Sequence, residues 1–230
     1  MPFDTSDRPG PGHGGTGGER AINLPPVLLW LIGINLAIHV VRSLLLSDAT
    51  DDTIILMFGL VPAAYTGGSH DLISQIAAPI TYQFLHGGWL HLGINMITLA
   101  AFGVPVVRML GVPRFVAFYL SAGVVAGFLQ VLLFPDSTDP GIGASGAISG
   151  VFGAVLMLMR SVGSLSSLLP VAGIWIALNV FFGLFGGTPG AAGEQVAWAA
   201  HIGGFVYGLL TIRFFLPRPP PAPPPYTGER

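Results

Sequence analysis

"GIGASGAISGVFG", residues 141–153, changes character halfway along. Its first half is too rich in glycine to be a good helix former. Its second half reads as the start of an apolar helix, and Ser145 stands at the seam between Gly143-Ala144 and Gly146. Two readings are open. The serine is either part of a small-residue surface that lets another helix approach closely, or a nucleophile at a helix N-terminus, where free N–H groups and the dipole favour negative charge.

The rest of the chain places this stretch in lipid. Of 230 residues, 52% are hydrophobic and 9% charged, where soluble domains carry about 25% charged residues. The mean hydropathy is +0.72. All nine basic residues are Arg, and the net charge of −2 offers no basic patch, so nucleic acid is not an expected partner. With no Cys, disulfides, thiolate chemistry and Cys-ligated metals are excluded. Residues 1–23 read as a flexible tail without the basic start and apolar core of a signal peptide. Residues 217–230 read as an extended Pro-rich tail, whose SH3-ligand-like composition is also that of a plain disordered end.

Between the tails, residues 24–216 hold six apolar stretches, Leu24–Leu46, Leu90–Met109, Phe115–Phe134, Ser145–Met159, Leu169–Phe185 and Val196–Leu216. A membrane span needs about 20 such residues. The fourth is short, so one of its ends must lie below the membrane surface in water or protein, and that end carries Ser145. Arg108, Arg114, Arg160, Arg213 and Arg218 fall on one side of this pattern, with Arg8 and Arg20 before the first span. The other loops hold Asp48, Asp51, Asp52, Asp71, Asp136, Asp139 and Glu194, with Arg42 the single dissenter. Both termini are therefore expected on the cytoplasmic side. The long first loop, about residues 47–88, is then external, and its apolar "TIILMFGLVPAAY" is expected to lie partly in the membrane interface.

No Asp or Glu falls within a span; the notable polar exceptions are Asn35, His39, His91, Asn95, Ser145, Ser149, Asn179 and His201. His39 reads as an interfacial or core histidine. His91 and Asn95 share one face at i, i+4. They can either hold a developing oxyanion or act as helix–helix glue. His86, just before that helix, is expected to organise the loop or cap backbone carbonyls. His201 shares a face with Gly204 and Gly208, and Gly146 and Gly150 form a matching pair beside Ser145 and Ser149. Two such small-residue faces permit near backbone contact, which can bring Ser145 within reach of His201 as general base. With no intramembrane carboxylate to orient the histidine, this would be a dyad. A metal site from His86, His91 and His201 is conceivable, but no HExxH-type spacing supports it. No cofactor is expected.

His91-x3-Asn95, then Gly143-Ala144-Ser145-Gly146, then Ala200-His201-x2-Gly204-x3-Gly208 together resemble the rhomboid intramembrane serine proteases. "RFVAFYLSAGVVAG" (114–127) and "FGLVPA" (58–63) are also similar to rhomboid segments, and the likeness covers about residues 25–216. It implies an all-α, six-transmembrane-helix bundle with a long, partly membrane-embedded first external loop and a water-filled site opening outward. It further implies a serine endopeptidase, a hydrolase that cuts membrane-anchored proteins in or near their transmembrane segments. Ser145 would be nucleophile, His201 the base, His91 and Asn95 the oxyanion site, and Gly146, Gly150, Gly204 and Gly208 the packing support. His86 matches a first-loop histidine of the family.

Three departures stand out. Ser149 occupies the place where many rhomboids carry an aromatic that stacks on the catalytic histidine, with Phe152 or Tyr207 as stand-ins. On that view Ser149→Phe maintains or raises activity. Ala77-Ala78 lie near the place of a usual first-loop Trp-Arg pair, and Val107 near that of a helix-ending Glu. The competing functions are a catalytically weak rhomboid-like protein that binds or escorts membrane clients, marked by loss of Ser145 or His201, and a small transporter, which would show an internal repeat. The fifth span and the paired glycines after it are the expected substrate gate. The absence of Lys and the abundance of Gly, Ala and Pro point to a GC-rich bacterium, and so to an inner-membrane location.

Overall fold

The computed structural model describes residues 24–67, 71–160, 165–185 and 198–218, with side chains of 169–181 in the third of these segments. Residues 1–23 and 219–230, which carry most of both expected tails, lie outside the described residues, as do Gly186, Gly187 and Glu194. The described chain is helical: α1 Pro26–Leu45, α2 Asp48–Phe58, α3 Leu72–Thr81, α4 Trp89–Leu110, α5 Val112–Leu133, α6 Ser145–Met159, α7 Leu165–Phe185 and α8 Trp198–Phe215. Two short 3-10 turns, Pro62–Tyr65 and Tyr82–Phe84, complete the first loop.

The long helices α1 and α4–α8 correspond to the six apolar stretches, and α2 and α3 form the loop between the first two. Helix α1 begins with Pro26, whose missing N–H costs nothing at a helix start. Helices α4 and α5 are joined by Gly111 alone, at φ 74°, a conformation that favours glycine. Among the described residues, α1, α4 and α5 are long and apolar enough to cross a membrane, and α6 and Leu169–Phe181 are shorter apolar helices. Trp30, Ile97, Leu132 and Phe214 each expose 72–73% of their surface, which only an apolar surrounding makes tolerable. The protein is membrane-embedded.

The first loop is amphipathic at its own scale. Ser47 accepts a hydrogen bond from the Thr50 N–H, and Asp48 and Asp51 sit in the positive first turn of α2. Asp71 caps α3 in the same way, through the Ser74 N–H. Ile73, Ile76 and Ile80 on α3, with Leu56, Met57 and Phe58 on α2, remain exposed, as a loop partly sunk in the interface requires. The other side is pinned to the bundle. Tyr82 donates to the Gly123 carbonyl on α5 at 2.6 Å, and the buried Gln83 donates to the Pro79 and Leu120 carbonyls.

At the centre is α6, packed by α8, α5 and α4. Every residue from Gly146 through Val151 is buried. A helix apolar on all sides belongs inside a larger bundle. Its 15 residues span about 22 Å, against a hydrocarbon thickness of about 30 Å. Its end therefore stops short of a membrane surface.

Candidate active site

The glycines set the spacing of the site. A methyl group on Gly204 would collide with the Gly146 carbonyl oxygen, and one on Gly208 with the Gly150 carbonyl oxygen. The backbones of α6 and α8 are thus in direct contact. On the far side of α6, Ala122 and Ala126 of α5 fill the space that side chains at Gly150 and Gly146 would need. Both expected glycine pairs face one another, and the histidine beside one pair meets the serine beside the other.

The result is a 2.7 Å hydrogen bond between Ser145 Oγ and His201 Nε2. Ser145 is the first residue of α6, so its backbone N–H has no partner within the helix. Its neighbour Gly143 has φ 130°, which other residues rarely adopt. A methyl group there would lie 3.0 Å from His91 Nε2 and 3.6 Å from Ser145 Oγ. The absence of a side chain at Gly143 thus lets the backbone pass close to the His91 imidazole and the Ser145 hydroxyl. Asn95, one turn after His91, is buried, and its Nδ2 has no hydrogen-bond partner among the described residues. A buried amide donor is costly unless water or a ligand takes it up.

His86 serves the same segment from below. It is buried, and its Nε2 accepts from the Ala144 N–H at 3.5 Å. That role requires a neutral ring. Burial first, then the nearby His91, His39 and Arg42, push its pKa down to about 3. The Gly143 N–H donates to the Tyr82 carbonyl at 2.9 Å, and Leu60 and Gly141 exchange a pair of 2.9 Å backbone bonds. The loop leading to Ser145 is therefore laced to the first external loop.

Other expected residues lie elsewhere. Asn35 donates to the Leu31 carbonyl of its own helix, and His39 packs edge-on against Trp89 at 4.6 Å. Phe152 stacks among Phe102, Trp175 and Phe205, and the Tyr207 hydroxyl pairs with Ser121 Oγ at 2.7 Å. Both candidate stand-ins for the aromatic plate are committed to other partners. Among the described residues no three His, Cys, Asp or Glu side chains are grouped to hold a metal ion.

The largest addition is Asn179. Its Oδ1 lies 2.6 Å from His201 Nδ1, so the histidine has a second hydrogen-bond partner, an amide in place of a carboxylate. The sequence showed Asn179 as the lone polar residue in the middle of "WIALNVFF", but without a spacing that tied it to any other group.

A Rhomboid domain model matches residues 74–218, more than half of the chain, and the chain belongs to the rhomboid family. It is 33% identical to Rhomboid protein 1, mitochondrial, of Saccharomyces cerevisiae over 151 residues, covering 61% of this chain and 42% of that protein. It is 33% identical to Rhomboid protease GluP of Bacillus subtilis over 160 residues, covering 64% and 28% respectively. The human Presenilin-associated rhomboid-like protein, mitochondrial, is 30% identical over 138 residues, covering 57% and 36%. The chain spans less than half the length of these relatives.

Proposed function

We propose that the chain is an intramembrane serine endopeptidase acting on membrane-anchored proteins at or near their transmembrane segments. The 2.7 Å pairing of Ser145 with His201, at the recessed N-terminus of a short buried helix, carries this reading. Membership of a family that includes a named protease adds to it. So does the retention of both dyad residues, which a client-binding relative has no need to keep.

In this mechanism the Ser145 hydroxyl gives its proton to His201 Nε2 as Oγ attacks the scissile carbonyl carbon. The carbonyl π bond opens, and the new oxyanion faces His91, Asn95 and the Ser145 N–H. His201 then passes its proton to the departing amine nitrogen as the C–N bond breaks, leaving an acyl ester on Ser145. A water molecule, deprotonated by His201, attacks that ester, and Ser145 recovers its proton.

The same reading covers the domain from residue 24 to 216 and its flanking tails. Helix α1 lies before the matched region, yet it packs on α4 and sends Arg42 to the His86 carbonyl, which supports counting it in the domain. The partners are the bilayer and transmembrane substrates, with both termini cytoplasmic and a bacterial inner membrane as the location. The arginine distribution supports that orientation.

The test is cleavage of a membrane-anchored reporter and labelling by a serine-directed fluorophosphonate. Ser145→Ala and His201→Ala should each abolish cleavage with the fold intact, and Ser145→Ala should abolish labelling. Wild-type cleavage by Ser145→Ala would overturn the assignment.

A further inference from the structure

Resting on the protease reading, we propose that Asn179 is the positioning residue of the dyad: its Oδ1 holds the proton of His201 on Nδ1, leaving Nε2 bare toward Ser145.

The direction of the amide is fixed by chemistry. Asn179 Nδ2 donates at 2.8 Å to the Trp175 carbonyl, one turn earlier on α7. A carbonyl oxygen can only accept, so the NH2 end of the amide must point there and Oδ1 must point at His201. The Oδ1–Nδ1 distance is 2.6 Å. At that separation two lone pairs would repel, so the imidazole must carry its hydrogen on Nδ1 to make the contact favourable. In the neutral ring the other nitrogen is then unprotonated, and it faces the Ser145 hydroxyl at 2.7 Å. One side-chain amide thereby selects the tautomer that a general base needs.

Burial makes the selection firm. Asn179 is 8% exposed and its helix neighbours are apolar, so little water competes for the Nδ1 hydrogen. The same carbonyl dipole faces the imidazolium that forms when Nε2 takes the serine proton. An amide supplies this orientation without placing a formal charge in the membrane interior, where a carboxylate is costly. Asn179 also lies on α7, which reaches the site through this contact, so the position of α7 bears on whether His201 is correctly oriented.

The experiment uses the full chain in detergent micelles, labelled with 15N-histidine, together with steady-state cleavage of the membrane-anchored reporter. His201 resonances are assigned by their loss in His201→Gln. The wild type should show His201 protonated on Nδ1 at neutral pH, and Asn179→Ala and Asn179→Leu should show a mixture of tautomers. These two variants should lose about 10²-fold in kcat with KM within about twofold. Asn179→Asp, which keeps an acceptor at the same place, should recover to within about tenfold of wild type. A wild-type His201 protonated on Nε2 overturns the proposal. So does an Asn179→Leu variant with unchanged kcat and unchanged tautomer. A wild type that neither cleaves nor labels refutes the protease reading alone, because the tautomer still decides the role of Asn179.

Discussion

Arg42 Nε sits 2.6 Å from Asp51 Oδ1, and Nη2 of the same guanidinium donates to Asp51 Oδ2 at 3.0 Å. Its Nη1 reaches the His86 carbonyl at 3.1 Å. One side chain thus ties α1 to α2 and to the residue that holds the Ala144 N–H. Arg42 is buried while Asp51 is 26% exposed, so the pair is worth less than a fully enclosed one. Arg42→Ala should lower stability by about 2 kcal/mol and reduce cleavage several-fold. Thermal unfolding in detergent and the reporter assay would show it. An unchanged midpoint would mean that the first loop is held without Arg42.

The contact between α6 and α8 predicts a sharp contrast among glycines. Gly204→Ala forces a methyl group into the Gly146 carbonyl and should cost about 3 kcal/mol or prevent folding. Gly33→Ala, on α1, meets nothing within 4 Å and should stabilise by about 0.5–1 kcal/mol. Midpoints of unfolding for the two variants should therefore move in opposite directions.

His86 gives the fold an acid dependence. Its folded pKa is held at about 3, below the ordinary value of 6.5. The unfolded chain therefore takes up a proton between these values that the folded chain refuses. The stability tied to this group is complete above pH 6.5 and falls as the pH drops toward 3, with about 2 kcal/mol gone at pH 5. His86→Gln keeps an acceptor for Ala144 but has no proton to gain. Its unfolding midpoint should drop less than that of wild type between pH 7 and pH 5, and equal slopes would refute the assignment.

The surroundings of Ser149 argue against a gain from an aromatic there. Ser149 is buried, and its hydroxyl donates to the Ser145 carbonyl at 2.8 Å, one turn back along α6. A phenyl ring there would have to displace packed neighbours. Ser149→Phe should cost about 1–3 kcal/mol and lower cleavage, whereas Ser149→Ala should stay within about 1 kcal/mol of wild type. Raised cleavage by a stable Ser149→Phe would restore the idea of a missing aromatic plate.

The helices and the meeting of Ser145 with His201 were legible because their signals are local and periodic. Apolar runs mark the long helices, and paired glycines four apart mark faces that can touch. The first loop was legible in character but not in shape. "TIILMFGLVPAAY" reads as one interfacial segment, yet the chain breaks at Gly59 and Leu60, where it pairs with Gly141. That partner lies some eighty positions away, and no local pattern announces it. Arg42 looked like an exception to the charge rule; the structure makes it an ion-paired group, which a count of loop charges does not anticipate. Asn179 stayed hidden because one polar residue in an otherwise apolar stretch says that it has a partner without saying which.

Because two main chains touch at Gly146 and Gly204, the separation of Ser145 from His201 is a rigid-body coordinate of whole helices. A lipid or detergent that wedges α8 outward by a fraction of an ångström lengthens the dyad by a comparable amount, while every helix keeps its own hydrogen bonds. On the protease reading, cleavage is therefore a finer gauge of lateral compression than helical content, and it should fail while the helices are still intact.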